Sequence, residues 1–208
     1  LRPPKAHASG CAPFVLATGE RLVLLLLGGG GWKFASTLLE ATLRTRAHLL
    51  DRNRGCRLAI VTGPHFEGAL PPLDDFVRYV SRFEPHLSGW VEQASAVVCM
   101  AGYNTLHELS YSGIPTVCVP SPEADDQVER ARAFASRFPW VREGQADPAA
   151  LADRITEALT TPPDSRGRAL LERERSSGRG RIAEAVGGVL TRGRSSSTRS
   201  AGTAKRSR

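Results

Sequence analysis

The stretch Arg21–Leu27 (RLVLLLL) runs without a polar interruption into the glycines Gly28–Gly31. An apolar run this short and unbroken, ended by glycine, reads as a strand buried on both faces of a parallel sheet. Such a sheet needs helical crossovers on its faces, and the rest of the sequence supplies them. Trp32 to Leu50 carries Phe34, Leu38, Leu39 and Leu43 at helical spacing. The alternation continues with strands predicted at Arg57–Val61, Phe76–Val80, Ala96–Met100 and Thr116–Val119. Helices are predicted at His86–Ala94, Asn104–Ser112, Asp126–Phe138 and Asp147–Leu159. Gly113 stands where a helix C′ glycine belongs, and Pro115 prevents the helix from continuing. The fold class expected is α/β, a Rossmann-like, doubly wound parallel sheet.

A chain of 208 residues accommodates one such domain with tails. Residues 1–20, rich in Pro, Ala and Gly and without periodicity, read as an interdomain linker. Residues 21–163 form the ligand-binding domain, 164–194 a C-terminal helical segment, and 195–208 a disordered basic tail. The net charge of +7 is concentrated toward the C-terminus, and the last fourteen residues contain no acidic residue. Such a tail buries too little apolar surface to offset its ordering entropy. It suits weak contact with an anionic membrane, while the absence of aromatics in it argues against nucleic acid. The sole methionine is Met100, so the chain reads as a piece whose upstream part is not included.

Cys11, Cys56, Cys99 and Cys118 form no CxxC pair and no zinc spacing, and Cys99 and Cys118 lie in apolar runs as small hydrophobes. His65, His86 and His107 share no metal spacing either, and no nucleophile and base pair is legible. No metal or cofactor is therefore expected. The thiols fit a reducing, cytoplasmic setting, peripheral at the inner face of the membrane if the tail engages lipid.

In a parallel sheet, ligands sit at the carboxyl ends of the strands, so the loops leaving them hold the candidates. Gly28–Gly31 either closes a tight turn or lets backbone N–H groups approach a phosphate. It matches neither a P-loop nor a dinucleotide fingerprint, whose third glycine position holds Lys33. Ala101–Glu108 (AGYNTLHE) delivers a helix N-terminus to that edge. Thr105 and Glu108 either bind phosphate and ribose hydroxyls or form a capping box that needs no ligand. Pro120–Gln127 gathers short polar side chains; Asp125 and Gln127 either bond sugar hydroxyls or, in the case of Asp125 or Asp126, cap a helix.

Taken together, GGGGWKFASTLLEA, VRYVSRFEPHLSGWVEQASAVVCMAGYNTLHELSYSGIPTVCVPSPEADDQVERARAFA and ADPAALADRITEAL resemble, in order and spacing, the C-terminal domain of family 28 glycosyltransferases of the MurG-like, GT-B type. The resemblance runs from Arg21 to Thr160. It implies a domain that binds a UDP-sugar, UDP-N-acetylglucosamine or a similar UDP-hexose, for hexosyl transfer to an acceptor. The acceptor and the catalytic base are implied to reside on an N-terminal domain, so this fragment alone is expected to be inactive.

By the same resemblance Glu108 holds the ribose hydroxyls, and Gly102, Tyr103, Asn104 and Thr105 cradle the diphosphate. The Arg82–Phe83–Glu84 loop offers backbone to uracil, Asp125 and Gln127 meet the sugar, and Gly29 and Gly30 belong to the family's glycine turn between domains. The sequence departs from the family pattern at Val128, where a second glutamine is usual, and at Tyr103 and Asn104, where small and apolar residues are usual. Two other arrangements fit the same fold: a separate donor-binding subunit that works with a partner chain, and a UDP-sugar 2-epimerase. A nicotinamide-binding domain is a third, more distant reading.

Overall fold

The structure, a computed structural model, describes residues 15–124, 126–167 and 169. The chain divides into two units, Leu1–Gly167 and Arg168–Arg208, and the elements below all belong to the first. The expected C-terminal segment beyond residue 169 and the basic tail lie outside the described residues, as does Asp125.

The sheet is parallel, with strands β1 (Arg21–Leu26), β2 (Cys56–Val61), β3 (Val77–Ser81), β4 (Ala96–Met100), β5 (Thr116–Val119) and β6 (Val141–Glu143) in the order β3-β2-β1-β4-β5-β6. The helices are α1 (Lys33–Arg44), α2 (Arg46–Arg52), α3 (Leu87–Gln93), α4 (Tyr103–Ser112), α5 (Gln127–Arg137) and α6 (Pro148–Thr160). Successive strand residues face opposite sides of the sheet, which is why β4, and β1 after its exposed first residue Arg21, carry apolar residues at every position. Val23, Leu25, Val98 and Val117 join Leu38, Leu49, Leu151 and Ile155 in a core beneath α1, α2 and α6. Helices α3 and α4 pack together, with α3 against β1 and α4 against β4 and α5. The chain order reverses between β1 and β4, which makes the loops after these two strands the topological switch point.

Three departures from the sequence reading have physical causes. The single helix expected over Trp32–Leu50 is two helices, broken at Thr45. The buried hydroxyls of Thr42 and Thr45 donate to Leu38 O at 2.7 Å and Thr42 O at 2.6 Å, and such back-bonding competes with the helical ladder and bends it. Strand β6 was not expected: three residues at a sheet edge, two of them Arg142 and Glu143, are too few to show a period. Helix α4 starts one residue early, with Gly102 as its N-cap, so Thr105 lies inside the first turn. The capping-box alternative for Thr105 and Glu108 therefore does not hold.

Gly113 ends its helix as expected, and other element ends are held by side chains. The Asp147 carboxylate accepts from Ala150 N–H at 2.9 Å and caps α6 just before Pro148. Gly113 ends α4 at φ +73°, and an added Cβ would lie 1.9 Å from Asp164 O. Ahead of β1, Glu20 accepts from Ala17 N–H and pairs with Arg57 at 2.6 Å, joining the entering segment to β2.

Candidate functional site

An open cavity of about 440 Å³ lies at the switch-point edge, lined by Trp32, Gly102, Glu123, Ala124, Asp126, Gln127 and Arg130. Three loops build it, those leaving β1, β4 and β5.

The β4 loop is the shortest. Gly102 N–H donates to Met100 O at 2.8 Å, and the first intrahelical bond of α4 runs from Leu106 N–H to Gly102 O at 2.9 Å. The amides of Tyr103, Asn104 and Thr105 consequently have no helical acceptor, and the aligned peptide dipoles add roughly half a positive charge at this end. Ala101 is fully buried, so only a small residue fits the turn. Glu108 follows one turn after Asn104 and Thr105. Its side chain is exposed and forms no hydrogen bond or ion pair with another described residue.

The β5 loop is held by its own glutamine. Gln127 is 5% exposed, and its Oε1 accepts the Ser121 N–H at 2.9 Å, which leaves its amide hydrogens for other acceptors. Asp126 occupies the N-cap position of α5 but its side chain makes no cap bond; it pairs instead with Arg130 one turn on. Arg130 also donates to Ala101 O at 2.8 Å, and its guanidinium sits 5.8 Å from the Tyr103 ring centre. Arg130 thereby joins the β5 and β4 loops. Tyr103 is 60% exposed, with the His107 ring 4.4 Å away.

The β1 loop is a locked turn. Gly28 and Gly30 have φ +62° and +76°, and a Cβ on Gly30 would fall 2.4 Å from Thr62 O. Gly63 approaches from the other side, where a Cβ would lie 2.3 Å from Gly28 O. His65 N–H donates to Gly29 O at 3.0 Å. The tight-turn reading of the glycines thus has a structural basis, and Gly29 and Gly30 do not line the cavity themselves; Trp32 does.

Phe83 and Glu84, on the loop after β3, also lie outside the cavity lining. Phe83 is exposed, and the Ser81 hydroxyl both accepts its N–H at 3.2 Å and donates to its carbonyl at 2.7 Å. The Glu84 carboxylate accepts from Tyr79 OH and from His86 N–H, each at 3.0 Å, and burial pushes the Tyr79 phenol above its ordinary range. The Arg82 side chain donates to Phe66 O at 3.1 Å, bracing the neighbouring loop.

Of the residues singled out from the sequence, the cavity gathers Gly102 and Gln127. Tyr103, Asn104, Thr105 and Glu108 follow on α4, and Gly29, Gly30, Phe83 and Glu84 stand on loops along the same edge. Trp32 and Arg130 escaped notice. Arg130 falls four residues after Asp126 and three after Gln127, a spacing that puts all three on one helix face and could have flagged it. Among the described residues no group of His, Cys, Asp and Glu is disposed to hold a metal, and no helix is long and apolar enough to cross a membrane.

Comparison with known proteins is consistent with this geometry. The glycosyltransferase family 28 C-terminal domain matches residues 35–175. The chain is 32% identical over 158 residues to the UDP-N-acetylglucosamine--N-acetylmuramyl-(pentapeptide) pyrophosphoryl-undecaprenol N-acetylglucosamine transferase of Pseudomonas fluorescens, covering 69% of this chain and 42% of that protein. It is 38% identical over 159 residues to the enzyme of the same name from Pseudomonas putida, again covering 69% and 42%. The chain thus spans about two fifths of the length of these curated relatives. Among solved structures, the calicheamicin glycosyltransferase superposes with a TM-score of 0.61 at 18% identity, over 85% of this chain and 43% of that one. The kitacinnamycin glycosyltransferase superposes with a TM-score of 0.60 at 24% identity, over 79% and 41%. These likenesses establish the fold, the Rossmann-like C-terminal half of the GT-B architecture. The chain belongs to glycosyltransferase family 28, through that family's C-terminal domain.

Proposed function

We propose that this domain binds a UDP-sugar and presents its anomeric carbon to an acceptor held by another half, on the same polypeptide or on a partner subunit. The observation that carries the reading is the cavity at the switch point, bordered by the unsatisfied amides that open α4. A diphosphate placed there meets N–H donors, the helix dipole and the Arg130 guanidinium. Glu108 accepts from the ribose hydroxyls, the Phe83–Glu84 backbone reads the base, and Gln127, with Asp125 beside it, meets the sugar.

The chemistry is a single displacement. The acceptor oxygen bonds to the anomeric carbon as the bond from that carbon to the diphosphate oxygen breaks. The electron pair leaves with the UDP, and the acceptor proton passes to a base on the other half. What this chain contributes is charge stabilisation of the departing diphosphate at α4, where preorganised donors act without reorganising. Positioning of the acceptor, which accounts for roughly 7–11 kcal/mol of barrier lowering in such reactions, falls to the other half. The N-terminal linker, the peripheral membrane setting and the lipid contact of the basic tail belong to the same proposal and rest on composition alone.

Isothermal titration of UDP, ADP and GDP against the chain tests the reading. Tighter binding of UDP is expected, and equal affinities for all three would overturn it.

A further inference from the structure

We infer that the indole of Trp32 is the platform for the hexose ring of the donor, and so governs recognition of the sugar rather than of the nucleotide. The inference rests on the donor-binding reading above. The chain has three tryptophans, and two are structural: Trp90 and Trp140 are 1% and 3% exposed, and Trp140 donates its indole N–H to Ser110 O at 3.1 Å. Trp32 is 51% exposed and lines the cavity; among the described residues the other large exposed apolar ones, Val15, Leu73, Phe83 and Tyr103, do not.

The chemistry of the remaining lining decides what lies against it. Gly102 and Arg130 border the α4 N-terminus and supply the potential that suits an anion. Glu123 is exposed, with no side-chain partner among the described residues, and Asp126 is paired only with Arg130. Carboxylates repel phosphate oxygens and the carbonyl oxygens of a pyrimidine, but accept readily from hydroxyls. Gln127, its oxygen committed to Ser121, adds N–H donors. An aromatic face together with planar hydroxyl acceptors and an amide donor complements a neutral, hydroxyl-bearing ring, whose C–H face settles on the electron-rich indole while its rim is bonded.

The backbone that carries the indole is also preorganised. Trp32 is the N-cap of α1, its carbonyl accepts from Ala35 N–H at 2.9 Å, and the turn before it is wedged against the Thr62–Phe66 loop. Little backbone ordering is left for the ligand to impose.

The test titrates UDP and UDP-N-acetylglucosamine into the wild-type chain, Trp32→Ala and Trp32→Phe, with tryptophan emission followed in the wild type. Trp32→Ala is expected to weaken the UDP-sugar roughly fivefold to tenfold, the scale of one aromatic contact, and to leave UDP within twofold. Trp32→Phe should recover most of the loss. Emission should change with the UDP-sugar and not with UDP, because the other indoles are buried. Equal weakening of both ligands, or no change in either, would overturn the inference while leaving the donor reading intact. Failure of the wild type to bind UDP would instead remove the donor reading and this inference with it. Unchanged melting of Trp32→Ala is the expected folding control, since its side chain makes no cap bond.

Discussion

The Gln127 carboxamide oxygen accepts the Ser121 N–H at 2.9 Å with both residues buried, so the side chain that faces the proposed sugar also holds the β5 loop closed. The two duties separate by substitution. Gln127→Glu keeps an acceptor for Ser121 but exchanges the amide donors for negative charge. It should melt near the wild type while losing UDP-sugar affinity. Gln127→Ala leaves a buried N–H without a partner, at a cost of about 1–3 kcal/mol, and should lose both stability and affinity. Equal melting of the two variants would show that the Ser121 bond carries no weight.

Glu108 offers a sharper separation. Because α4 is capped at Gly102, and Glu108 is exposed and unbonded, Glu108→Ala should barely move the melting temperature. Loss of charge-assisted bonds to two ribose hydroxyls, each worth about 1.5–3 kcal/mol, should weaken UDP by about two orders of magnitude. Unchanged UDP affinity with a lowered melting temperature would be the signature of a purely structural residue.

Asp74 provides a pH test away from the site. Its carboxylate accepts the Val77 and Phe76 N–H groups, each at 2.7 Å, and pairs with Arg46; these contacts, the Val77 bond foremost, hold it below the usual carboxylate range. A lowered folded-state pKa stabilises the protein above the unfolded-state value, and that stability is lost as pH falls through the folded value. Asp74→Asn should therefore melt lower than the wild type at pH 7, and the gap should close on acidification below about pH 4. A gap independent of pH would refute the linkage.

The thiols should be inert. Cys99 and Cys118 face each other across β4 and β5, and the neighbouring sulfur together with burial pushes the Cys99 thiol up; burial pushes Cys56 up to about 11. Thiol-reagent labelling of Cys56, Cys99 and Cys118 in the native protein at pH 8 should be slow and should follow global unfolding. Fast labelling of any of the three, identified by peptide mass, would contradict this.

How much of this was legible in the sequence depended on whether the determinant was local. The β1, β4 and β5 runs announced themselves because burial on both faces demands nearly unbroken apolar residues, and Gly113 with Pro115 carries its own punctuation. The break at Thr45 was hidden because nothing in a threonine's neighbours says whether its hydroxyl will turn back onto the helix. Strand β6 exists only because β5 offers it an edge. At the site, the α4 turn is a contiguous motif and was found. Trp32 reaches the cavity from the loop after β1 and Arg130 from the first turn of α5, and only the folded sheet brings these distant stretches to Gly102.

The wedging of Gly30 under Thr62 and of Gly63 against Gly28 makes the loops after β1 and β2 a single mechanical part. Neither can lengthen or change composition alone without displacing the other, and Trp32 rides on the pair. Diversification of donor preference by insertion, in evolution or in the laboratory, is thereby directed away from these loops and toward Pro120–Gln127, where Ser121 is bonded to Gln127, Glu123 and Ala124 of its own loop.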